Sequence, residues 1–236
     1  MTISILATGT SRGIGKAIAD RFADEDVRLV GHRSSDPDAR TLAMDLADPG
    51  APRRLWEQAL ELLDGRIDIL INNAGIFEAA SIDAPDAAWT EAWDRTMQIN
   101  LTASAGLCRL AVLHFRRHGG GRIINIASRA AHRGDSPAHW HYAASKAGMV
   151  AMTKTIARGY AAENILAFAV CPGFTMTGMA DDYLASRGGE KLLADIPLGR
   201  VAEPQEIAEL VNFLALHAPA SMTGATFDVN GASYVR

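Results

Sequence analysis

The feature that most constrains this chain is a regular alternation of short β-like runs with longer helical ones. Residues 3–7, 27–31, 67–71, 122–126 and 165–170 are rich in Ile and Val and bounded by Gly, Asp, Asn or Pro. Short apolar runs without a polar face are what strands look like in a parallel sheet covered on both sides. A run at 41–44 and a closing one at 225–229 add two more. Helical windows fall at 14–23, 52–63, 89–115 and 142–161, and a last one at 204–216 opens with Pro204 in a first-turn position. Right-handed crossovers then predict an α/β, doubly wound, mainly parallel seven-stranded sheet with helices on both faces. There is no repeat and no linker, so residues 1–236 read as a single domain. The polar, Gly-rich stretch 181–189 reads as part of a mobile substrate lid near 174–200.

Composition narrows the class further. A chain of 236 residues, 48% of them hydrophobic, can bury one sizeable core on its own. Lys and Arg total 23 against 27 Asp and Glu, a net charge of -4 with no basic stripe to hold a phosphate backbone. Nucleic acid is therefore excluded as a partner. Cys108 and Cys171 each lie in an apolar stretch and read as buried free thiols of a reducing compartment. No basic leader opens the sequence, and no stretch nears the roughly 18 apolar residues of a membrane span. The expectation is a cytoplasmic protein with no membrane partner.

The first run is followed directly by Thr8-Gly9-Thr10-Ser11-Arg12-Gly13-Ile14-Gly15, leading into a helix. Such a turn lets the backbone approach a pyrophosphate and aims the helix amides at its charge. The spacing G-x-x-x-G-x-G departs from the general dinucleotide fingerprint, so the flanking strand and helix carry the reading. The second run ends in His32-Arg33-Ser34, with no carboxylate before Asp36. An acid there would bind the ribose hydroxyls of NAD, whereas Arg33, with Arg12 opposite, suits a 2′-phosphate. NADP(H) is thus expected over NAD(H). Asp45-Leu46 after the third run can contact adenine, and Asn73-Ala74-Gly75 after the fourth leaves room for a nucleotide at the carboxyl edge.

Tyr142 and Lys146 share a helix face at i and i+4, which puts an ammonium beside a phenol. A neighbouring positive charge lowers a phenol's pKa towards neutrality, as proton transfer at a carbonyl or alcohol requires. Ser128, ending the fifth run, can hydrogen-bond a substrate oxygen. Asn100 sits inside an apolar helical window, where its amide needs a specific partner, structural or catalytic. The pair His139-x-His141 lacks further ligands, so no metal is expected. Arg116-Arg117-His118 reads as charge at a helix C-terminus, and Trp89 and Trp93 as core or subunit-contact residues.

Together, the 8–15 turn, the 72–75 segment, Asn100, Ser128, Tyr142-x-x-x-Lys146 and Pro172-Gly173 resemble the short-chain dehydrogenase/reductase family in its compact Rossmann-type form. The tail, with Pro197-Leu198-Gly199-Arg200, Pro204-x-Glu206-Ile207 and Thr223-Gly224, looks like its 3-oxoacyl-carrier-protein-reductase-like members. The resemblance implies an oxidoreductase moving a hydride between NADP(H) and a small carbonyl or secondary alcohol, as a homotetramer or homodimer. It implies a tetrad: Tyr142 as acid–base group, Ser128 orienting the carbonyl, and Lys146 lowering the phenol pKa and holding the nicotinamide ribose. Asn100 would anchor a water linking Lys146 to solvent. Gly9, Ser11, Arg12, Gly13, Ile14 and Gly15 would line the cofactor, with His32, Arg33, Ser34, Asp45, Leu46, Asn73, Ala74 and Gly75. Pro172 and Gly173 would seat the carboxamide, with Thr175 and Thr177. Two departures stand out: 142−128 = 14 residues separate Ser128 from Tyr142, one more than in many relatives, which bears on substrate, and the tail reads Val229-Asn230-Gly231-Ala232 where relatives often have Asp-Gly-Gly, which bears on subunit packing more than chemistry. The loop with His132, Arg133, Asp135, His139, Trp140 and His141 would line the substrate side. A non-catalytic dinucleotide sensor on the same fold is the alternative, though it would not need the Ser/Tyr/Lys set.

Overall fold

The computed structural model describes residues 2–38, 41–177 and 193–236. Seven strands form one parallel sheet: β1 (Ile3–Ala7), β2 (Val27–Arg33), β3 (Thr41–Ala43), β4 (Ile69–Asn72), β5 (Gly121–Ile126), β6 (Ile165–Pro172) and β7 (Thr226–Val229). Their order is β3-β2-β1-β4-β5-β6-β7, so the chain reverses direction between β1 and β4. That reversal opens a crevice at the carboxyl edge, where ligands of such sheets bind.

Side chains alternate across the sheet. Ile5 and Ala7 of β1, Ile69 and Ile71 of β4, and Ile124 of β5 face one layer. There they meet Ile18 and Phe22 of α1 (Gly13–Phe22) and Ile207, Val211 and Leu214 of a helix near the C-terminus (Pro204–Leu216). Leu6, Leu70 and Ile123 face the other layer, against Leu55 and Trp56 of α2 (Ala51–Leu62) and Leu107, Ala111 and Phe115 further along. Each large side chain so buried contributes roughly 1.5–3 kcal/mol. Strands apolar on both faces thus follow from helices on both sides.

The expected helix at 89–115 is three segments: α3 (Asp86–Met97), a five-residue π turn (Gln98–Thr102) and α4 (Ala103–Phe115). Uniform 3.6-residue periodicity hides such an insertion. A short α5 (Ala130–Arg133) was not expected; α6 (Trp140–Tyr160) and α7 (Pro204–Leu216) were. Helix α7 begins on a capping box: Glu203 N–H donates to Glu206 Oε2 at 2.8 Å, and Pro204 occupies the first turn. The stretch 181–189, and the part of the expected lid at 178–192, lie outside the described residues.

Candidate active site

The glycine turn leaves β1 at the crevice. Gly9 has φ +69°, and a Cβ on it would lie 2.7 Å from the Ala74 main chain. A Cβ on Gly15 would sit 1.9 Å from the Gly9 carbonyl oxygen, so only glycine lets α1 pack onto the turn. Neighbouring strands fix the turn's shape. The Asn73 side chain donates to the Thr8 and Gly9 carbonyls at 3.1 and 2.9 Å, and the Thr8 hydroxyl accepts from the Asn73 and Ala74 amides at 3.0 Å each.

The N-terminus of α1 opens into the crevice. Arg12 takes an extended conformation there and gives the helix no side-chain cap, and the first turn holds no acid. Unsatisfied amides with a positive helix end, and an exposed Arg12 beside them, form a cradle for a pyrophosphate. Thr177 reaches the same loop, its Cγ2 lying 2.9 Å from where a Gly13 Cβ would be.

At the end of β2, Arg33 is partly exposed and paired with Asp38 at 3.3 Å, and Ser34 is exposed. The structure corrects His32. Its side chain is 2% exposed and faces the interior: Nε2–H donates to the Met44 carbonyl at 2.8 Å, and Nδ1 accepts from the Gly9 amide at 3.3 Å. Burial pushes its pKa down, so it is neutral and braces the glycine turn instead of meeting a ligand. Asp45 is exposed, one oxygen accepting from the Ala47 amide, while Leu46 is buried.

Ser128 follows β5, and Tyr142 and Lys146 project from the first two turns of α6. The Ser128 side chain lies close enough to the Tyr142 phenol to favour its ionised form. Lys146 Nζ is buried, donates to the Ile126 carbonyl at 2.9 Å and lies 5.8 Å from the Tyr142 ring centre. Desolvation pushes its pKa down to about 8. Desolvation also raises the Tyr142 pKa, against the lowered value expected from sequence; Ser128 opposes the rise. The nearby Asp135 and Cys171 push in the same direction as burial.

Asn100 sits in the π turn, fully buried. Its amide donates to the Ile76 carbonyl at 3.0 Å and the Ser145 hydroxyl at 3.3 Å, and Oδ1 accepts from the Ile76 amide at 2.8 Å. A Cβ on Gly75 would lie 3.2 Å from Asn100 Oδ1 and 3.5 Å from Lys146 Nζ. Any side chain at 75 would crowd both groups. At the ends of β6 and β7, Gly173 packs so closely on Asn230 that a Cβ would stand 2.8 Å from its Cα. Pro172 and Thr175 are buried, and the Thr175 hydroxyl donates to the Gly173 carbonyl at 3.2 Å.

The substrate side has an aromatic wall. Phe77 stacks flat on His139, ring centres 3.9 Å apart, and meets Tyr142 edge-on at 4.8 Å. Two expected loop residues turn away from it: His141 is buried and donates to the Glu78 carbonyl at 3.0 Å, and His132 faces Cys171. His139 and His141 lie with their rings parallel, 6.4 Å apart between centres. Trp89 and Trp93 stack on each other at 5.2 Å, and Arg116 pairs with Glu163 at 2.6 Å.

A buried network escaped the sequence reading. Asn72 donates to Asn125 at 2.8 Å, and Asn125 to the Thr153 hydroxyl at 2.8 Å, linking β4, β5 and α6 beneath the tetrad. An Asn inside the otherwise apolar run Ile123-Ile124-Asn125-Ile126 was the available signal.

The family model described as enoyl-(acyl carrier protein) reductase matches residues 9–232. The 3-oxoacyl-[acyl-carrier-protein] reductase of Vibrio cholerae is 35% identical, over 98% of this chain and 96% of its own. Those of Haemophilus influenzae and Escherichia coli are 34% and 33% identical at similar coverage. Among solved structures, the ligand-free aldohexose dehydrogenase of Thermoplasma acidophilum superposes with a TM-score of 0.87 at 27% identity, over 100% of this chain and 95% of its own. A putative gluconate dehydrogenase from Agrobacterium tumefaciens gives 0.89 at 26%, over 99% and 97%. With its parallel sheet, its glycine turn and the family model and relatives it matches over nearly its whole length, the chain belongs to the short-chain dehydrogenase/reductase family of oxidoreductases.

Proposed function

We propose that this protein transfers a hydride between NADP(H) and a small carbonyl or secondary-alcohol substrate. Asn100, Ser128, Tyr142 and Lys146 act as the catalytic group. The observation that carries the reading is that Ser128, Tyr142 and Lys146 meet at the mouth of the crevice into which the uncapped end of α1 opens. NADPH, when bound, supplies the hydride. Ser128 positions the carbonyl oxygen, and Tyr142, held protonated by burial, donates its proton to that oxygen as negative charge develops. Lys146 carries the positive charge that stabilises the resulting phenolate and binds the nicotinamide ribose hydroxyls. Asn100 anchors a water linking Lys146 to solvent, on the side where Gly75 carries no side chain to crowd either group.

Cofactor selection rests on Arg12 and Arg33, with Gly9, Ser11, Gly13, Ile14, Gly15, Ser34, Asp45, Leu46, Asn73, Ala74, Gly75, Pro172, Gly173, Thr175 and Thr177 lining the dinucleotide. The Phe77–His139 stack beside Tyr142 gives a flat wall suited to a partly apolar substrate. The protein acts as one cytoplasmic domain, in a homotetramer or homodimer. The relatives' names point to 3-oxoacyl thioesters as the first compounds to try. Purified protein is assayed for NADPH oxidation against a panel of ketones and 3-oxoacyl compounds. Tyr142→Phe is expected to lower kcat on the best substrate by about a hundredfold or more, the usual worth of a positioned proton donor. A loss of less than about tenfold would falsify the assignment.

A further inference from the structure

Behind the tetrad, a second constellation of side chains has no part in hydride transfer. Strands β6 and β7 pair with Cys171 opposite Asp228. Register partners in a sheet project from the same face, so thiol and carboxylate stand side by side. Helix α5 brings His132 over them, its Nε2 3.7 Å from Cys171 Sγ. One ligand atom from each residue lies within 4.8 Å of the other two, the only such triad of metal-binding groups among the described residues. The positions are 39 residues apart in the first pair and 228−171 = 57 in the second, so no ligand spacing betrays the triad in the sequence.

We propose that His132, Cys171 and Asp228 form a site for one divalent transition metal of zinc character, separate from the dinucleotide crevice. The donor set is the first reason. One imidazole, one thiol and one carboxylate suit zinc-like ions, and calcium or magnesium would demand oxygen ligands alone. The spacing is the second. Bonds of about 2.3 Å to sulphur and about 2.0–2.1 Å to nitrogen, at a tetrahedral angle, separate the two atoms by about 3.5–3.6 Å. The observed 3.7 Å is within reach of that without moving the backbone.

The surroundings fit as well. The His132 ring lies parallel to Tyr234, 5.7 Å away between centres, which holds its plane. Its Nε2 already faces the sulphur. Asp228 gives one oxygen to Arg236 at 2.9 Å and keeps the other for a metal. Cys171 is fully buried while Asp228 is exposed, so the ion enters from the surface and ends against the sulphur. Binding exchanges the thiol proton for the ion: Cys–SH and the dication become Cys–S–metal and one H⁺. An ion held by His132 of α5, Cys171 of β6 and Asp228 of β7 would fasten the three elements together.

The test uses the full chain, freed of metal with a chelator and titrated with Co²⁺. The expected result is one Co²⁺ per chain, a thiolate-to-cobalt charge-transfer band in the near ultraviolet, and visible bands of tetrahedral intensity. Cys171→Ser abolishes the charge-transfer band. His132→Gln and Asp228→Asn each weaken binding by at least about tenfold, the loss that removing even a ligand's supporting partner causes. Tyr142→Phe keeps the spectrum, and Zn²⁺ bleaches it while raising the Tm of the wild type but not of Asp228→Asn. Absence of the band in the wild type, its persistence in Cys171→Ser, or unchanged affinity in both other variants overturns the proposal. Should Cys171→Ser fail to fold, the partly exposed His132 and the exposed Asp228 decide the matter.

Discussion

Arg33 is tied to Asp38 only by a 3.3 Å contact at the surface, with side-chain exposures of 30% and 56%. Exposed pairs of that kind are worth little, so the guanidinium is free to turn to a phosphate. Arg33→Asp is expected to raise the Kd for NADPH about tenfold to a hundredfold, the worth of a charged hydrogen bond, and that for NADH by less than about threefold. Fluorescence titration of both nucleotides checks this, and equal losses would sink the 2′-phosphate assignment. Lys146 gives a pH prediction. Its folded pKa, about 8, lies below the ordinary 10.5, so between those values the unfolded chain holds a proton that the folded one lacks. Stability from this group therefore rises with pH across that window and is lost as pH falls through about 8. Urea unfolding of ligand-free protein should show wild type gaining on Lys146→Met by up to about 3 kcal/mol between pH 7 and pH 10.5. A gap that stays constant contradicts the desolvated lysine. At this scale, residue types were legible in the sequence but directions were not. His32 follows the strand's last apolar residues as a ligand would, yet pleat and register turn it inward onto Gly9 and Met44.

Elements were more legible than residues wherever one period sufficed. All seven strands and the helices α1, α2, α6 and α7 follow from apolar runs and their bounding residues, to within a few positions. Periodicity failed at the π turn, since one added residue leaves composition unchanged while shifting the phase of everything after it. That turn aims Asn100 at the loop after β4, where both polar main-chain groups of Ile76 depend on it. Asn100→Ala leaves an N–H and a C=O of the half-buried Ile76 without partners and should cost about 2–6 kcal/mol, taking about 1–3 per unpaired group. It should also lower kcat, because the proposed water between Asn100 and Lys146 loses its anchor. Denaturant titration with steady-state kinetics measures both. A variant as stable as wild type would mean that Ile76 finds other partners.

For the whole molecule, β7 matters most, because it ends the sheet with one side unpaired among the described residues. Unpaired strand edges invite another chain, and natural proteins cover or pair them. A homodimer or homotetramer is accordingly expected by sedimentation velocity at micromolar concentration, and a monomer throughout would refute the proposed assembly. The sheet order also bears on how the chain comes to be. Strand β1 is made first yet lies between β2 and β4, pairing Ile5 with Ile69. The turn after β1 takes its shape from Asn73, more than sixty residues later. A ribosome must therefore deliver more than sixty residues beyond the turn before the phosphate cradle exists, and until then no nucleotide in the cell can help the nascent chain hold its fold.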